Sequence, residues 1–475
     1  MPNFASLVSG KLWWTILTYF GMVALQEVKD LFQKSWSLLE TVFGTLKDPA
    51  FREVAREHPS DFTRNRKLGF VDVMACIMNR VEKTTQVYLD RFRERFLPQQ
   101  DETTTYTKQS FAEARQKIRP EAFAWLNDAF VKRYYAEPGY TTFLGLRVLA
   151  IDGCGMEVPD VDVVRALFGV AKGRKGAPPA ARARSSQLYD VFNGITLHAL
   201  LKPYRTGERA MAYEDLQALL GSAGAAIPTL ILFDRGYPSL PLIYFLRYHG
   251  LHFLMRVSAN FYPKQLAAAG PDGLVTLRLS AAHARQLKAL GINVEAGTAI
   301  TLRLGQVVLP NGTVETLVTD LGPEILPAAA MPPLYFKRWP IETPYKADKY
   351  IVEIENFSGT SPRVIAQDYH AAILFSNMSA VVRADAGEAF TAIKSQLKRK
   401  YATYRINFNL TVGNLKDRLL DFFVYGDPAE TRPRYERLLN RLKRYVVPVI
   451  SGRQFPRQLW RRRSAKYPMN LRRCL

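Results

Sequence analysis

Residues 334–349 read Leu-Tyr-Phe-Lys-Arg-Trp-Pro-Ile-Glu-Thr-Pro-Tyr-Lys-Ala-Asp-Lys, which sets Tyr335, Arg338, Glu342 and Lys349 at successive offsets of three, four and seven residues. At about 100° per residue these four would fall within a helical arc of roughly 60°, so that one acid, two cations and a phenol share a face. A carboxylate suits a divalent cation, and Arg, Lys and Tyr suit phosphate oxygens. Pro340 and Pro344 constrain any such helix, because a mid-helix proline costs about 3 kcal/mol or a kink. Pro340 is accommodated at the first helical position, which would leave Tyr335 and Arg338 on an entry loop. Pro344, one turn further in, implies distortion.

Two upstream segments would bring further acids to such a site. Residues 146–152, Leu-Arg-Val-Leu-Ala-Ile-Asp, are followed by Gly153-Cys154-Gly155, and residues 229–237, Thr-Leu-Ile-Leu-Phe-Asp-Arg-Gly-Tyr, place Asp234 close before Gly236. A short apolar run closed by Gly reads as a buried strand. The carboxyl end of such a strand is where open α/β sheets put ligand chemistry. Taken alone, either aspartate also reads as a turn or helix cap.

The spacing Y-x2-R-x3-E-x6-K, together with Asp-Arg-Gly-Tyr at 234–237, resembles the signature of the DDE transposases of bacterial insertion sequences, in the insertion-sequence-four family. The resemblance implies that Asp152, Asp234 and Glu342 are the catalytic, metal-binding carboxylates, with Asp152 bridging two Mg²⁺ ions and each of the others holding one. Mn²⁺ is a substitute. Two divalent ions roughly 4 Å apart serve an in-line phosphodiester cut by activating the nucleophile and neutralising the leaving oxygen. Water would attack first and the freed 3′-hydroxyl second, with no covalent side-chain nucleophile. Glu353 and Glu355 are fallback acids without Tyr and Arg partners at the right offsets.

By the same resemblance, Tyr335, Arg338 and Lys349 grip phosphates near the cleaved end, particularly on the strand that is not transferred. Several relatives form a hairpin on the flanking end and extrude a base into an aromatic pocket, and whether this chain does so is left open. Extrusion costs a few kcal/mol, which stacking can offset. Trp339 either packs the helix on the sheet or supplies that ring. Arg235, beside Asp234, is a further candidate DNA contact.

Charge agrees with a nucleic-acid partner. The 475 residues include 65 Lys and Arg against 43 Asp and Glu, a net of +22, which speaks to electrostatic attraction and not to fold. From Arg441 to Leu475 there are 11 Lys or Arg and no acid, interleaved with Tyr445, Phe455, Trp460 and Tyr467. Such mixing suits a surface that tracks phosphates and packs on bases or sugars, so Arg461, Arg462 and Arg463 are candidate DNA contacts. The competing reading is a solvated basic tail. Lys172, Arg174 and Lys175, among Gly, Ala and Pro, read as a flexible basic loop that orders on DNA.

The length calls for two to four domains. Residues 1–144 read as a helical N-terminal DNA-binding region, with Leu25, Val28, Phe32 and Trp36 at helical spacing, a long helical pattern from Phe70 to Phe96, and another from about 108 to 136. The expected fold is α/β: an RNase H-like core in two pieces, 145–262 and 331–385, interrupted by a β-rich insertion at 263–330. Strand-like runs lie at 188–201 and 252–257, with a helix near 238–249. The insertion is marked by the alternating runs 298–304 and 313–320 and the turn signal Asn311-Gly312. Residues 386–475 read as a basic helical C-terminal region, which in related enzymes supports pairing of two subunits in the DNA complex.

Other classes find little support. Cys76, Cys154 and Cys474 have no metal or redox spacing, so a reduced, cytoplasmic setting on the nucleoid is the default. The apolar run 12–26 is too short to span a bilayer and reads as a buried helix. His198, His249, His252 and His370 share no ligand spacing. The expected function is a transposase that cleaves its terminal inverted repeats on double-stranded DNA and joins them to target DNA. The alternatives are a nuclease on the same fold that cuts without joining, and a catalytically decayed DNA-binding protein.

Overall fold

Two apolar runs become neighbouring central strands: β1 (Arg147–Glu157) begins with five buried residues, and β5 (Thr229–Phe233) is buried throughout, as expected of strands covered on both faces. These statements come from a computed structural model, which describes residues 33–64, 67–79, 84–98, 106–172, 178–308, 312–338, 352–394 and 400–449. Glu342, Lys349, Trp339, Arg174, Lys175, Arg461, Arg462, Arg463 and the run 12–26 lie outside the described residues.

The described residues form a mixed α/β fold divided into two compact units. One holds Thr45–Asn377; the other holds the described residues up to Gly44 and those from Met378 onward. In the first, β3 (Ala180–Asp190) and β4 (Ile195–Pro203) continue from β1 as an antiparallel meander, while β5 and then β6 (His252–Val257) join in parallel on the opposite side. Helices Glu208–Leu220 and Leu240–Tyr248 make the crossovers before β5 and β6.

The strands of 263–330 extend this same sheet. β9 (Val314–Thr319) pairs antiparallel with β6, β8 (Ala299–Val308) with β9, and β7 (Leu274–Arg278) with β8. With the short β2 (Val170–Ala171) on β3, the order is β2-β3-β1-β5-β6-β9-β8-β7, and β4 also pairs with β3.

Side-chain alternation then fixes which face carries the site. Val148 and Ala150 of β1, Leu230 and Leu232 of β5, Leu254 of β6 and Leu317 of β9 form one buried layer with Met331, Leu334 and Tyr335. The latter three come from the helix Met331–Phe336. At period two, Asp152 follows Ala150 and Asp234 follows Leu232 on that covered face. Gly305 on β8 is required there, because a Cβ at this position would overlap the Met331 sulfur.

Some sequence expectations need correction. The single strand expected over 188–201 is broken into β3 and β4. Gly194 takes φ +75° after Asn193, and the Asp190 carboxylate accepts the Phe192 and Asn193 N–H groups, which makes a turn. The helical stretch 108–136 is two helices, Lys108–Gln116 and Ala122–Ala136, separated before Pro120, where proline disfavours helix in the preceding residue. Tyr335 lies on a helix and not on an entry loop: Pro332 and Pro333 open that helix at positions whose N–H groups would have no partner anyway.

The other unit packs rings of helix Gln33–Lys47 against those of Arg418–Phe423 and Pro428–Leu442, with Trp36, Phe43, Phe423 and Tyr435 in contact. Its region from Met378 onward is helical with one two-stranded ribbon, β10 (Thr403–Ile406) with β11 (Val446–Val449).

Candidate active site

Parallel pairing of β1 with β5 sets Ala150 opposite Leu232. Asp152 and Asp234 therefore stand two residues further along neighbouring strands, which lie about 4.8 Å apart in a sheet. Asp152 is partly exposed, and one carboxylate oxygen accepts the Gly153 N–H at 3.0 Å. Burial pushes its carboxyl up to about 6. Arg338 and the Gly153 N–H oppose that rise, and the nearby Asp234 and Glu208 charges add to it.

Three groups converge on a single oxygen of Asp234. The Tyr335 hydroxyl donates to Oδ1 at 3.3 Å, Arg256 Nη2 lies 3.3 Å from it, and Arg338 Nη2 lies 3.7 Å away. Among the described residues none of these contacts falls on Oδ2. Arg338 Nε also donates to the Tyr335 hydroxyl at 3.3 Å, and its guanidinium lies over the Tyr335 ring. Both side chains are buried, at 1% exposure for Tyr335 and 4% for Arg338. Burial drives the Tyr335 phenol up to about 12, so it stays a donor. Burial also disfavours charge on Arg338, but Tyr335 and Asp234 outweigh it and hold the guanidinium above its usual value.

Further groups of the site were not singled out in the sequence. Arg256, on β6, pairs with Asp234 and also with Glu315 of β9. Its signal was a lone cation in the apolar run Phe253-Leu-Met-Arg-Val. Glu208, at the start of its helix, takes Arg184 at 2.5 Å and closes over Gly153 and Gly236, where a Cβ would meet it at 3.2 and 3.4 Å. Tyr237 is 1% exposed and its hydroxyl has no hydrogen-bond partner among the described residues. That hydroxyl lies 3.5 Å from where a Cβ on Gly153 would stand.

Of the remaining sequence candidates, Arg235 is exposed beside Asp234 and Lys172 is exposed after β2. Glu355 accepts the Glu157 N–H at 3.0 Å, at the far end of β1 from its buried start, and Glu353 accepts Asn356 at 2.8 Å. His198 and His252 pair through Nδ1 with Asp215 and Asp320. Among the described residues no group of three His, Cys, Asp or Glu is placed to hold a metal ion. The two aspartates fit a divalent cation nonetheless: they offer hard oxygen donors on neighbouring strands, and the Asp152 carboxyl is raised chiefly by burial, with the Asp234 charge adding to it. No helix of the described residues is long and apolar enough to cross a membrane.

Comparison with known proteins agrees with this geometry. Residues 144–378, which contain both aspartates and the whole Tyr-Arg-Glu-Lys motif, match the family model described as "Transposase DDE domain". The chain is 24% identical over 369 residues to the transposase InsG of insertion sequence element IS4 from Escherichia coli (strain K12), covering 75% of this chain and 77% of that protein. Among solved structures it is similar, at a TM-score of 0.40 and 14% identity, to the piggyBac transposase synaptic complex with hairpin DNA, covering 91% of this chain and 87% of that one. The domain match and the IS4 relative mark the chain as a DDE transposase of the insertion-sequence-four family.

Proposed function

We propose that this transposase cleaves DNA at its element's terminal inverted repeats and joins the freed 3′ ends to target DNA, with Asp152, Asp234 and Glu342 as the catalytic acids. The single observation behind this reading is the pair of aspartates at matching levels of adjacent parallel strands, with Tyr335 and Arg338 of the motif drawn onto the second. The antiparallel triplet β4-β3-β1 followed by parallel β5 and β6 supports assignment to the RNase H-like core, with 263–330 as its β-rich insertion and 331–385 as its completion.

Asp152, Asp234 and Glu342 would hold two Mg²⁺ ions, or Mn²⁺ in their place. When bound, such ions supply charge neutralisation at the phosphodiester and lower the pKa of the attacking oxygen. The chain's own residues set this up. Tyr335, Arg338 and Arg256 gather on one oxygen of Asp234, Oδ1. Arg338 commits Nε to Tyr335 but stands at 3.7 Å from Asp234, beyond hydrogen-bond length, so it keeps donors for a phosphate, as would Lys349. Arg235, Lys172, Arg174, Lys175, Arg461, Arg462 and Arg463 would bind flanking phosphates, Trp339 would pack by the cleaved end, and residues 1–144 would read the repeats. The partners are double-stranded DNA and a second copy of the chain in the DNA complex, acting in the cytoplasm at the nucleoid.

The test is incubation of purified protein with a labelled duplex carrying the terminal repeat and a target plasmid, in Mg²⁺ and in EDTA. Metal-dependent nicks at the repeat boundary, with labelled ends joined to the plasmid, are expected. Nicks without joined product would replace the reading with a nuclease. Binding without nicks would replace it with a decayed enzyme.

A further inference from the structure

We propose a second phosphate-binding surface on helix Pro428–Leu442, remote in sequence from the acids, which joins Arg434 and Arg437 to Arg441 and Arg444 at the start of the basic C-terminal stretch. It rests on the reading that DNA is the partner. Arg434, Arg437 and Arg441 recur on this helix at offsets of three and four. At about 100° per residue they share an arc of roughly 60°, and Arg444 in the turn beyond continues the row. Arg437, Arg441 and Arg444 are exposed, and Arg434 is half-buried. Arg434, Arg437 and Arg441, together with Arg418 of the neighbouring helix, line a cavity of about 180 Å³ with Phe422, Leu438 and one acid, Asp421.

Local contacts hold the row in place. Arg434 lies over the Phe422 ring with its guanidinium 5.5 Å from the centroid. Arg418 Nη1 donates to the Asn414 backbone and side-chain oxygens at 3.0 and 2.6 Å. The acid that could pair with the row through the helix, Glu436, faces elsewhere: it takes Arg432, which in turn lies over Trp36. Glu430 shares the arginine face but sits in the first turn, where the helix N-terminus favours an acid.

Like charges three and four residues apart destabilise a helix by about 0.2–0.5 kcal/mol per pair. An array that carries this cost and directs its planar donors outward suits a polyanion. Arg434 to Arg441 spans about 10 Å of helix axis at 1.5 Å per residue. Phosphates of one DNA strand succeed each other at about 3.4 Å along the duplex axis, so the row faces two to three of them. The contacts are to backbone and not to bases, so they carry no sequence preference.

The experiment compares the full chain with Arg437→Ala/Arg441→Ala and Arg437→Lys/Arg441→Lys, using labelled duplexes with and without the terminal repeat. Affinity is read against KCl concentration, and circular dichroism and the thermal midpoint report folding. Both side chains are exposed, so the midpoint is expected to stay put. The alanine variant should weaken binding by the same factor on both duplexes and flatten the slope of log K against log salt by about 1.8, for two lost contacts at about 0.9 each. The lysine variant should keep most of the slope. An unchanged slope in the alanine variant, with steep wild-type binding, overturns the surface and leaves the DNA partner standing. Lost self-association with an unchanged slope also overturns it and assigns the face to a second copy. Wild-type protein that binds neither duplex overturns both.

Discussion

The Tyr335 hydroxyl donates to Asp234 Oδ1 at 3.3 Å across 101 residues of sequence. The contact ties the second strand-end acid to the motif that should contain the third. Tyr335 is anchored by its own burial in the layer beneath β1 and β5, so the phenol arrives on a fixed scaffold. Tyr335→Phe keeps the ring and removes the donor. A hydrogen bond to a charged acceptor contributes about 1.5–3 kcal/mol at most, so the fold should survive with a midpoint lowered by a few degrees. Cleavage should fall by roughly 10- to 100-fold at saturating DNA, because one acid loses its orientation at about 1.4 kcal/mol per tenfold. Wild-type cleavage in the variant would mean that this contact does not position Asp234.

Arg256 couples Asp234 to Glu315 and so links the end of β5 to β9. Arg256→Ala leaves two partly buried acids without their shared cation, and removal of one partner of a buried pair costs about 3–5 kcal/mol. With Arg256 15% exposed, the lower end is expected. Arg256→Ala combined with Glu315→Gln should cost less than the sum of the two single changes, since the orphaned acid is then neutral. Denaturant midpoints of the four proteins check this; strict additivity would show that the pair does not act as a unit.

Much of this site is legible in the sequence because its parts are local. An apolar run that ends in an acid and a glycine reads as a strand end, which holds for Asp234 after β5, whereas β1 runs on through Asp152 to Glu157; taken alone, either acid also reads as a turn or cap. The motif residues Tyr335 and Arg338 stand out by their offsets. The contacts of Arg256 and Glu208 are not legible, because they depend on which strands become neighbours. β6 lies beside β5, and β9 beside β6, only once the sheet order is set. Tyr335 sits on a short helix, Met331–Phe336, that Pro332 and Pro333 open, and the helix expected from Pro340 lies outside the described residues. The break at Asn193-Gly194 is visible as a turn pair, but the apolar pattern on both sides masks it.

Gly305 offers a test of how the motif helix is seated. Gly305→Ala forces a methyl group into the space of the Met331 sulfur. Overpacking of this kind costs typically about 1–3 kcal/mol, and the thioether is the part that must give way. The variant should lose stability in that range and also lose cleavage, because Met331 and Tyr335 ride on the same short helix. Gly305→Ala with Met331→Ala should recover part of the stability. No change in either property would mean that the helix seat tolerates movement.

In the other compact unit, Asp385 accepts the Ser35 N–H at 2.9 Å, and the Ser35 hydroxyl bonds Tyr435 at 2.7 Å. Burial raises the Asp385 carboxyl to about 7, against which the Ser35 hydrogen bonds act. The folded value stands above the ordinary value of about 3.9, so the folded chain holds this proton more tightly than the unfolded one. Its contribution is fully present below about pH 4 and is lost as pH rises through about 7. Asp385→Asn, which stays neutral, should flatten the dependence of unfolding free energy on pH across that window and stabilise the protein at pH 8 relative to wild type. A variant that follows the wild-type curve would show that Asp385 does not titrate in this window.

The most direct measurement is cleavage of terminal-repeat DNA by Asp152→Ala, Asp234→Ala and Glu342→Ala, each purified and assayed beside wild type in Mg²⁺ with DNA binding measured in parallel. Cleavage should vanish in all three while binding persists, since each acid holds part of one charged site and none builds the DNA surface. Cleavage that survives loss of Asp152 or Asp234 would contradict the aspartate pair as the catalytic centre, and cleavage that survives loss of Glu342 alone would contradict its place as the third acid.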